Sequence, residues 1–253
     1  MRIIFIRHGE PDYSIDSLTE KGWREARLLA ERTSKWDVSQ FYCSPLGRAK
    51  ATAKPTLEKM NRAAIEYPWL REFNAPVINP ENGQERIPWD LKPGYWTNYN
   101  GFHDLEHWTE LDLYQNSNVK IENERVCEGI DSILKEYGYI REGRMYKTVP
   151  RKGIVQKPEA HASYPILDGG DTIVIFCHLG VTCVMMAHLL NMTPLQVWHG
   201  MFLPTTSVSV LSTEEVVPGE AYFRAQMIGD TSHLRIAGEK VSYYGSFVEP
   251  FQG

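Results

Sequence analysis

Cysteine is scarce in this sequence, which holds only four among its 253 residues. The four lie at positions 43, 127, 177 and 183, form no CxxC pair and show no regular spacing. This pattern argues against a disulfide framework of the kind that stabilises small secreted domains. We therefore expect a reduced, cytoplasmic protein.

Long apolar runs and an excess of basic residues are missing as well. The apolar run at residues 3–6 ends at Arg7 and is too short for the core of a signal peptide. No later stretch reaches the roughly 18 apolar residues that a membrane span needs. The formal net charge is -5, without a strongly basic tail, so we expect neither a membrane nor a nucleic-acid partner. An anionic ligand would have to be held by a local cluster of positive charge.

What the sequence does contain is a repeated pattern of a buried strand, a polar turn and a helix. The pattern runs through residues 2–32, with a predicted N-cap at Thr19, through residues 39–60, and again through residues 171–190. Such alternation is typical of an α/β fold. It predicts a three-layer sandwich with a mostly parallel central sheet and helices on both faces.

Residues 75–170 do not follow that pattern. Residues 75–118 are rich in aromatic side chains among Pro, Asn and Gly, and they precede a predicted helix at 119–136 and a predicted hairpin at 138–157. We therefore predict a single domain over residues 1–253, in which core segments 1–74 and 171–253 are interrupted by an inserted cap at about 75–170.

Two of the predicted strands end in a histidine, His8 after the first and His178 after the last. Ligands of open α/β sheets bind beyond the carboxyl ends of the strands, so both histidines are expected in one pocket. Arg7 precedes His8, and Arg48 follows another strand and turn. Arginine presents forked N–H donors that match phosphate oxygens. Two histidines with two arginines therefore favour a phosphoryl group as the ligand.

Phosphoryl transfer by this set also needs a nucleophile and an acid. A neutral imidazole held in one tautomer can attack phosphorus when nearby cations offset the negative charge. The departing alkoxide then needs a proton, which a glutamic acid with a raised pKa can supply. Glu72 lies beside Trp69, Leu70 and Phe73, an apolar setting of that kind.

Five motifs extend this pattern along the chain. They are Arg7-His8-Gly9-Glu10, Leu18-Thr19-Glu20-Lys21-Gly22, Ser44-Pro45-Leu46-Gly47-Arg48-Ala49 with Thr52-Ala53, Leu70-Arg71-Glu72, and His178. Together they resemble the histidine phosphatase superfamily, also called phosphoglycerate mutase-like, over residues 1–74 and 171–211. The resemblance implies that His8 is phosphorylated, that Arg7, Arg48 and His178 hold the phosphoryl group, and that Glu72 is the general acid and base.

The expected activity is therefore hydrolysis of a small phosphate monoester through a phosphohistidine, as in histidine acid phosphatases. The short segment between Gly9 and Leu18 lacks the longer Trp- and Asn-containing stretch associated with sugar-phosphate mutases, so mutase-type phosphoryl transfer is the alternative. The turn His178-Leu179-Gly180-Val181 also departs from the usual His-Gly-Gly. Because arginines supply the charge stabilisation, no metal or cofactor is expected.

Two alternative functions, and one alternative role for Glu72, are compatible with the sequence. The string from His103 to His107 has the HxxEH pattern of inverted zinc proteases, although its flanks do not predict a long helix and no third ligand stands out. Alternatively, the same fold could be a non-catalytic module that only binds phosphorylated ligands. Glu72 itself could be half of a surface ion pair with Arg71.

The expected partner is a small phosphorylated metabolite. The aromatic cap could contact a ring or an apolar leaving group, but aromatic residues at this density more often build the core of an inserted subdomain. Residues 141–157 carry six basic side chains against one acid. They could meet a second anionic group, although a solvated hairpin face is the default interpretation.

Overall fold

The computed structural model describes residues 1–79, 81–98, 100–149 and 170–252. The strands in these ranges are β1 (Arg2–Arg7), β2 (Pro11–Asp12), β3 (Ser17–Leu18), β4 (Gln40–Cys43), β5 (Ala64–Glu66), β6 (Val77–Ile78), β7 (Glu85–Arg86), β8 (Tyr139–Glu142), β9 (Met145–Thr148), β10 (Thr172–Cys177), β11 (Val208–Val217) and β12 (Glu220–Asp230). The α-helices are α1 (Glu20–Thr33), α2 (Gly47–Met60), α3 (Pro93–Trp96), α4 (Val119–Glu136), α5 (Leu179–Leu190), α6 (Pro194–Gly200) and α7 (Ser232–Ile236). Single 3-10 turns lie at Pro68–Leu70, Asn100–His103, Trp108–Glu110 and Asp112–Tyr114.

One eight-stranded sheet organises the molecule, in the order β5-β4-β10-β1-β11-β12-β9-β8. The first four strands in this order are parallel to one another, with β1 and β10 in register from Arg2 and Thr172 to Arg7 and Cys177. Both central strands are uninterrupted apolar runs buried almost throughout. A strand covered by helices on both faces requires such a run.

The other half of the sheet is antiparallel, so the sheet is mixed rather than mostly parallel. Two hairpins cause the difference. One joins β8 to β9 and turns at Gly143 (φ 60°), and the other joins β11 to β12 and turns at Gly219 (φ 91°). Strands joined by so short a turn can only pair antiparallel, whereas a parallel pair needs a long crossover.

Helices cover both faces of the sheet, which confirms the predicted three-layer α/β sandwich. Alternate residues of β1 point to opposite sides: Ile3 and Phe5 belong to the core cluster that contains residues of α4, α5 and α6, while Ile4 and Ile6 belong to the cluster with residues of α1 and α2. Strand residues alternate between the two faces of a sheet. The pattern therefore builds two cores around one strand.

The predicted helices are present close to their expected bounds. Thr19 caps α1 by accepting a hydrogen bond from the Gly22 N–H at 3.1 Å, as its position before the helix predicts. The helix α5 is apolar on all sides and almost fully buried, as expected of a helix packed in the interior. None of the helices in the described ranges has the length and apolar character needed to cross a bilayer.

The segment expected to form a cap contains two different kinds of structure. Residues 76–118 form the small β6–β7 hairpin, α3 and single helical turns. Further along, α4 packs against α5, and the β8–β9 hairpin pairs with β12 at the edge of the main sheet. The predicted hairpin lies within its expected range up to residue 149, and its last expected residues lie outside the described ranges. The division of residues 1–253 into a core and an inserted cap stays a prediction.

Candidate active site

The five residues singled out in the sequence lie at the carboxyl ends of the four parallel strands. Arg7 and His8 end β1, and His178 follows β10. Arg48 lies in the first turn of α2 after β4, and Glu72 follows the 3-10 turn after β5. The ring centroids of His8 and His178 are 5.2 Å apart. We call Arg7, His8, Arg48, Glu72 and His178 the phosphate pocket.

The backbone around His8 fixes the tautomer of its imidazole. The ring Nδ1 lies 2.8 Å from the Gly9 carbonyl oxygen, and a carbonyl can only accept a hydrogen bond. Nδ1 therefore carries the proton and Nε2 keeps its lone pair. The main chain is held as well, because the His8 N–H donates to the Cys177 carbonyl at 2.9 Å.

His8 is buried and is expected to be neutral at ordinary pH. Desolvation lowers its pKa well below the usual value, and the positive charges of Arg7 and Arg48 lower it further. A protonated imidazole has no lone pair for attack. Burial and the two arginines therefore keep His8 neutral, the form in which Nε2 has a lone pair.

His178 is completely buried at the start of α5. Its Nε2 lies 2.7 Å from the Ser44 hydroxyl, whereas its Nδ1 is buried without a hydrogen-bond partner among the described residues. Desolvation and the neighbouring His8, Arg48 and Arg7 lower its pKa well below the usual value. An unpaired buried polar atom is costly, so Nδ1 is available to a ligand.

The two guanidinium groups are buried at the rim of the same pocket. Arg7 Nη1 donates to the Leu203 carbonyl at 2.7 Å, and Arg48 Nη1 donates to Asp16 Oδ1 at 2.7 Å. In both side chains the Nε is buried without a hydrogen-bond partner in the described residues. Arg7 Nη2 also lies 3.5 Å from the Tyr244 carbonyl. Each guanidinium is thus oriented by such contacts and keeps its Nε as a donor for an anion.

Glu72 is held by backbone N–H groups and not by an ion pair. Its Oε1 accepts from Phe73 at 2.8 Å and from Val181 at 2.9 Å, and its Oε2 accepts from Gly180 at 3.3 Å. Burial nevertheless raises its pKa above the usual value, and these hydrogen bonds only partly oppose the shift. The His178-Leu179-Gly180-Val181 turn, unusual in the sequence, thus supplies the donors that position Glu72.

The surface ion pair considered for Glu72 is formed by another glutamate. Arg71 Nη2 lies 2.5 Å from Oε1 of Glu122 on α4, and its Nη1 lies 3.0 Å from the second oxygen. Adjacent side chains in an extended segment point in different directions. Arg71 therefore faces α4 while Glu72 faces the turn before α5.

The structure adds residues that sequence reasoning passed over. Asp16 lies at φ 45° between β2 and β3 and accepts from both Gly47 N–H and Arg48. Glu25 of α1 is fully buried, accepts from the Glu10 N–H at 2.9 Å and from the Thr205 hydroxyl at 3.0 Å, and has a pKa raised by burial to about 7. An acidic residue on the apolar face of a predicted helix was the available signal for Glu25.

The HxxEH string has a different structure from a zinc-protease helix. His103 ends a 3-10 turn, and His107 follows in a separate turn. Both side chains are exposed, and His107 Nδ1 pairs with Asp104. Within the described ranges, no group of three or more His, Cys, Asp or Glu side chains is arranged to hold a metal ion.

Part of the chain is similar to known proteins. Residues 3–98 match the family model for the histidine phosphatase superfamily (branch 1). A probable phosphoglycerate mutase, GpmB, of Serratia proteamaculans is 31% identical over 102 residues, which are 37% of this chain and 45% of that protein. A probable phosphatase of Schizosaccharomyces pombe is 36% identical over 76 residues, which are 26% of this chain and 36% of that protein.

The chain thus spans less than half the length of these curated relatives. A solved structure, the mycobacterial glucosyl-3-phosphoglycerate phosphatase, superposes with a TM-score of 0.55 at 19% identity and covers 90% of this chain and 98% of that one. Residues 3–98, which carry four of the five phosphate-pocket residues, therefore resemble the histidine phosphatase superfamily, and the chain has the fold of the solved phosphatase.

Proposed function

We propose that this chain hydrolyses a small phosphate monoester through a phosphohistidine on His8. The observation that carries the proposal is the hydrogen bond from His8 Nδ1 to the Gly9 carbonyl. It leaves the Nε2 lone pair free beside two buried guanidinium groups and a second buried histidine. These are the conditions under which an imidazole attacks phosphorus.

In the first step the Nε2 lone pair forms a bond to phosphorus while the bond from phosphorus to the leaving oxygen breaks. The protonated carboxyl of Glu72 gives its proton to the departing alkoxide, and its raised pKa favours that protonated form. Arg7, Arg48 and His178 donate hydrogen bonds to the phosphoryl oxygens as negative charge builds up on them.

In the second step water attacks the phosphohistidine. The Glu72 carboxylate accepts a proton from the water, the P–N bond breaks, and its electrons return to Nε2 of His8. Inorganic phosphate leaves, and Glu72 is protonated again for the next cycle. The proposed partner is a small phosphorylated metabolite, and each step uses groups that belong to this chain alone.

The proposal is tested by trapping the intermediate. The wild type is mixed with ³²P-labelled phosphate monoester in the presence of EDTA, quenched in alkali and separated on a denaturing gel, where a phosphohistidine survives. We expect label in the wild type and none in His8→Ala, with turnover lowered about 10⁴-fold or more in the variant because the nucleophile is lost.

His107→Ala is the matched control, because His107 is exposed and lies outside the phosphate pocket. It should be labelled like the wild type. Equal labelling of His8→Ala and the wild type would overturn the assignment of the nucleophile. Tight binding of the monoester without labelling or turnover would instead favour a module that only binds phosphorylated ligands.

Mutase-type transfer is the second candidate, because a relative at 31% identity is named a probable phosphoglycerate mutase. Both activities share the phosphohistidine, but a mutase returns the phosphoryl group to its organic product. Incubation with 3-phosphoglycerate separates the two, since release of inorganic phosphate indicates hydrolysis and formation of the 2-phospho isomer indicates transfer.

A further inference from the structure

A second cavity, of about 580 Å³, lies beside the phosphate pocket. Three segments line it: residues 89–96, residues 198–202, and residues 245–248 near the C-terminus, together with Leu179. Its wall includes the rings of Trp89, Trp96, Trp198, Phe202 and Phe247. We call it the aromatic cavity.

The aromatic cavity approaches the phosphate pocket at Gly180. A Cβ placed on Gly180 would lie 2.4 Å from the Trp89 ring and 2.9 Å from Glu72 Oε1. Leu179 lines the cavity and directly follows His178. The proton donor for the leaving oxygen is thus next to the cavity wall, so the body of a leaving alcohol extends toward Trp89.

The aromatic cavity approaches the phosphate pocket a second time, at Gly245 near the C-terminus. Gly245 lines the cavity at φ 78°, and a Cβ there would lie 3.1 Å from Arg7 Nη2. The aromatic cavity therefore touches the phosphate pocket on two sides, at Glu72 and at Arg7.

The charges around this cavity do not suit an anionic leaving group. Among the described lining residues, Asp90 carries a carboxylate and Lys92 an ammonium group. Lys92 pairs with Glu81, and Asp90 lies 3.7 Å from Arg86. No arginine is among the described residues that line the wall. Apart from Arg7, which the phosphoryl group would occupy, a carboxylate or second phosphate would thus lose its hydration without gaining a cation that lacks an acidic partner among the described lining residues.

His199 points to the same conclusion. Its Nδ1 lies 2.8 Å from the Leu195 carbonyl and must donate to it, so Nε2 keeps a lone pair. That Nε2 is buried without a hydrogen-bond partner in the described residues. The ring stacks on Trp96 with centroids 4.8 Å apart. A lone pair at this position repels an anion and can accept a hydrogen bond from an uncharged donor.

We propose that the aromatic cavity binds the leaving group of the substrate and selects phosphate monoesters of uncharged aromatic alcohols. This inference rests on the proposed phosphatase function. Rings of Trp89, Trp96 and Trp198 supply flat apolar surface next to the proton donor, and offset or edge contacts with such rings add to simple burial.

The test compares 2-phenylethyl phosphate with ethyl phosphate, two alkyl esters whose leaving alcohols have similar reactivity and differ in the ring. We expect kcat/KM to be about 10- to 100-fold higher for the aromatic ester, as burial of one ring allows. Trp96→Ala should lower the ratio of kcat/KM for the aromatic ester to kcat/KM for ethyl phosphate about tenfold, because the ring loses a stacking surface.

Trp36→Ala is the matched control, because Trp36 packs against the core cluster on the other face of the sheet. The variant also removes an indole side chain, and it should leave the ratio of kcat/KM for 2-phenylethyl phosphate to kcat/KM for ethyl phosphate as in the wild type. Equal kcat/KM for the two esters, or a preference for 3-phosphoglycerate over 2-phenylethyl phosphate, would overturn the cavity assignment while the turnover of ethyl phosphate still supports a phosphatase.

Binding to His8→Ala, measured by calorimetry, separates the two proposals if neither ester is turned over. Tighter binding of 2-phenylethyl phosphate than of ethyl phosphate, with the difference lost in the His8→Ala, Trp96→Ala double variant, would support the cavity although the proposed chemistry had failed. Equal affinities would overturn the cavity assignment as well.

Discussion

The phosphate pocket and the aromatic cavity share a wall, but different interactions hold them in place. In the phosphate pocket each side chain has a defined hydrogen bond to the backbone or to a neighbour, such as His8 to Gly9 and Glu72 to three N–H groups. The cavity wall is instead made of ring contacts, such as Trp89 with Trp198 at 5.8 Å.

These two kinds of interaction respond differently to change. A buried hydrogen-bonded group that loses its partner is left with an unsatisfied atom, so small changes in the phosphate pocket are costly. An apolar wall tolerates exchanges that conserve volume. We therefore expect the phosphate pocket to determine the reaction and the aromatic cavity to determine which monoester is used.

The largest effect that separates the two regions is expected from Glu72→Gln. The amide cannot protonate a leaving alkoxide, so kcat/KM for ethyl phosphate should fall about 10²- to 10⁴-fold. The fall for p-nitrophenyl phosphate should be less than about tenfold, because nitrophenolate leaves without a proton. Equal losses on both esters would contradict the role of Glu72 as an acid.

The pH profile provides a control for the same variant. Activity of the wild type on ethyl phosphate should fall as the pH rises through the raised pKa of Glu72, because the acid form is needed. It should also fall as the pH drops through the lowered pKa of His8, because the neutral ring is needed. Glu72→Gln should lose the first fall and keep the second.

Glu25→Gln tests how the buried carboxyl that accepts a hydrogen bond from the Glu10 N–H affects the free energy of unfolding. The folded pKa of Glu25 is raised by burial from 4.5 to about 7, so the folded state binds more protons than the unfolded state between those values. Stability therefore falls as the pH rises through that window, by about 3 kcal/mol in total. The glutamine, which stays neutral, should remove this loss.

Urea unfolding at pH 5 and at pH 8 measures the difference. The free energy of unfolding of Glu25→Gln should exceed that of the wild type at pH 8 and approach it at pH 5. Trp96→Ala, in the aromatic cavity, should keep the pH dependence of the wild type. Parallel pH dependence in the wild type and Glu25→Gln would contradict the prediction.

Gly180→Ala should disturb both regions at once. The new methyl group would collide with the Trp89 ring and with Glu72 Oε1, so one of them must move. We expect kcat/KM to fall about 10- to 100-fold for ethyl and 2-phenylethyl phosphate alike, as misplacement of a catalytic group does. Gly94→Ala is the control, since a Cβ there meets nothing within 4 Å. Wild-type kcat/KM of Gly180→Ala for both esters would contradict the prediction that the shared wall positions Glu72.

The smallest effect is expected from EDTA. Arg7 and Arg48 supply the charge that a metal ion supplies in many phosphoryl-transfer enzymes, so turnover should be retained in the chelator. Activity on ethyl phosphate with and without EDTA is the measurement. A loss of activity that a divalent metal reverses would contradict the proposal that the arginines suffice.

The phosphate pocket could be predicted from the sequence because its residues follow the ends of recognisable strands. Each apolar run stops at a polar residue, and parallel strands bring their carboxyl ends to one edge. The spacing of His8, Arg48, Glu72 and His178 is therefore enough to place them together. Local signals also gave the Thr19 cap and the bounds of α4.

The features that the sequence did not predict depend on contacts between distant segments. The antiparallel half of the sheet includes the β11–β12 and β8–β9 hairpins, and it joins the parallel half through the long-range pairing of β11 with β1. The aromatic cavity needs Trp96, Trp198 and Phe247 to converge from three parts of the chain. Asp16 acts through tertiary hydrogen bonds, which no local pattern records, whereas the position of Glu25 on the apolar face of α1 indicates its burial but not its partners.

The hydrogen bond between His8 and the carbonyl of its own neighbour, Gly9, has a consequence for how such a chain can diversify. Because the orientation of the reactive ring is set within a dipeptide, it does not depend on residues 89–96 or on the C-terminal segment. Loop exchange or library selection in those segments should thus alter substrate range without dismantling the nucleophile. We therefore expect that the segments lining the aromatic cavity can be exchanged while His8 keeps its orientation.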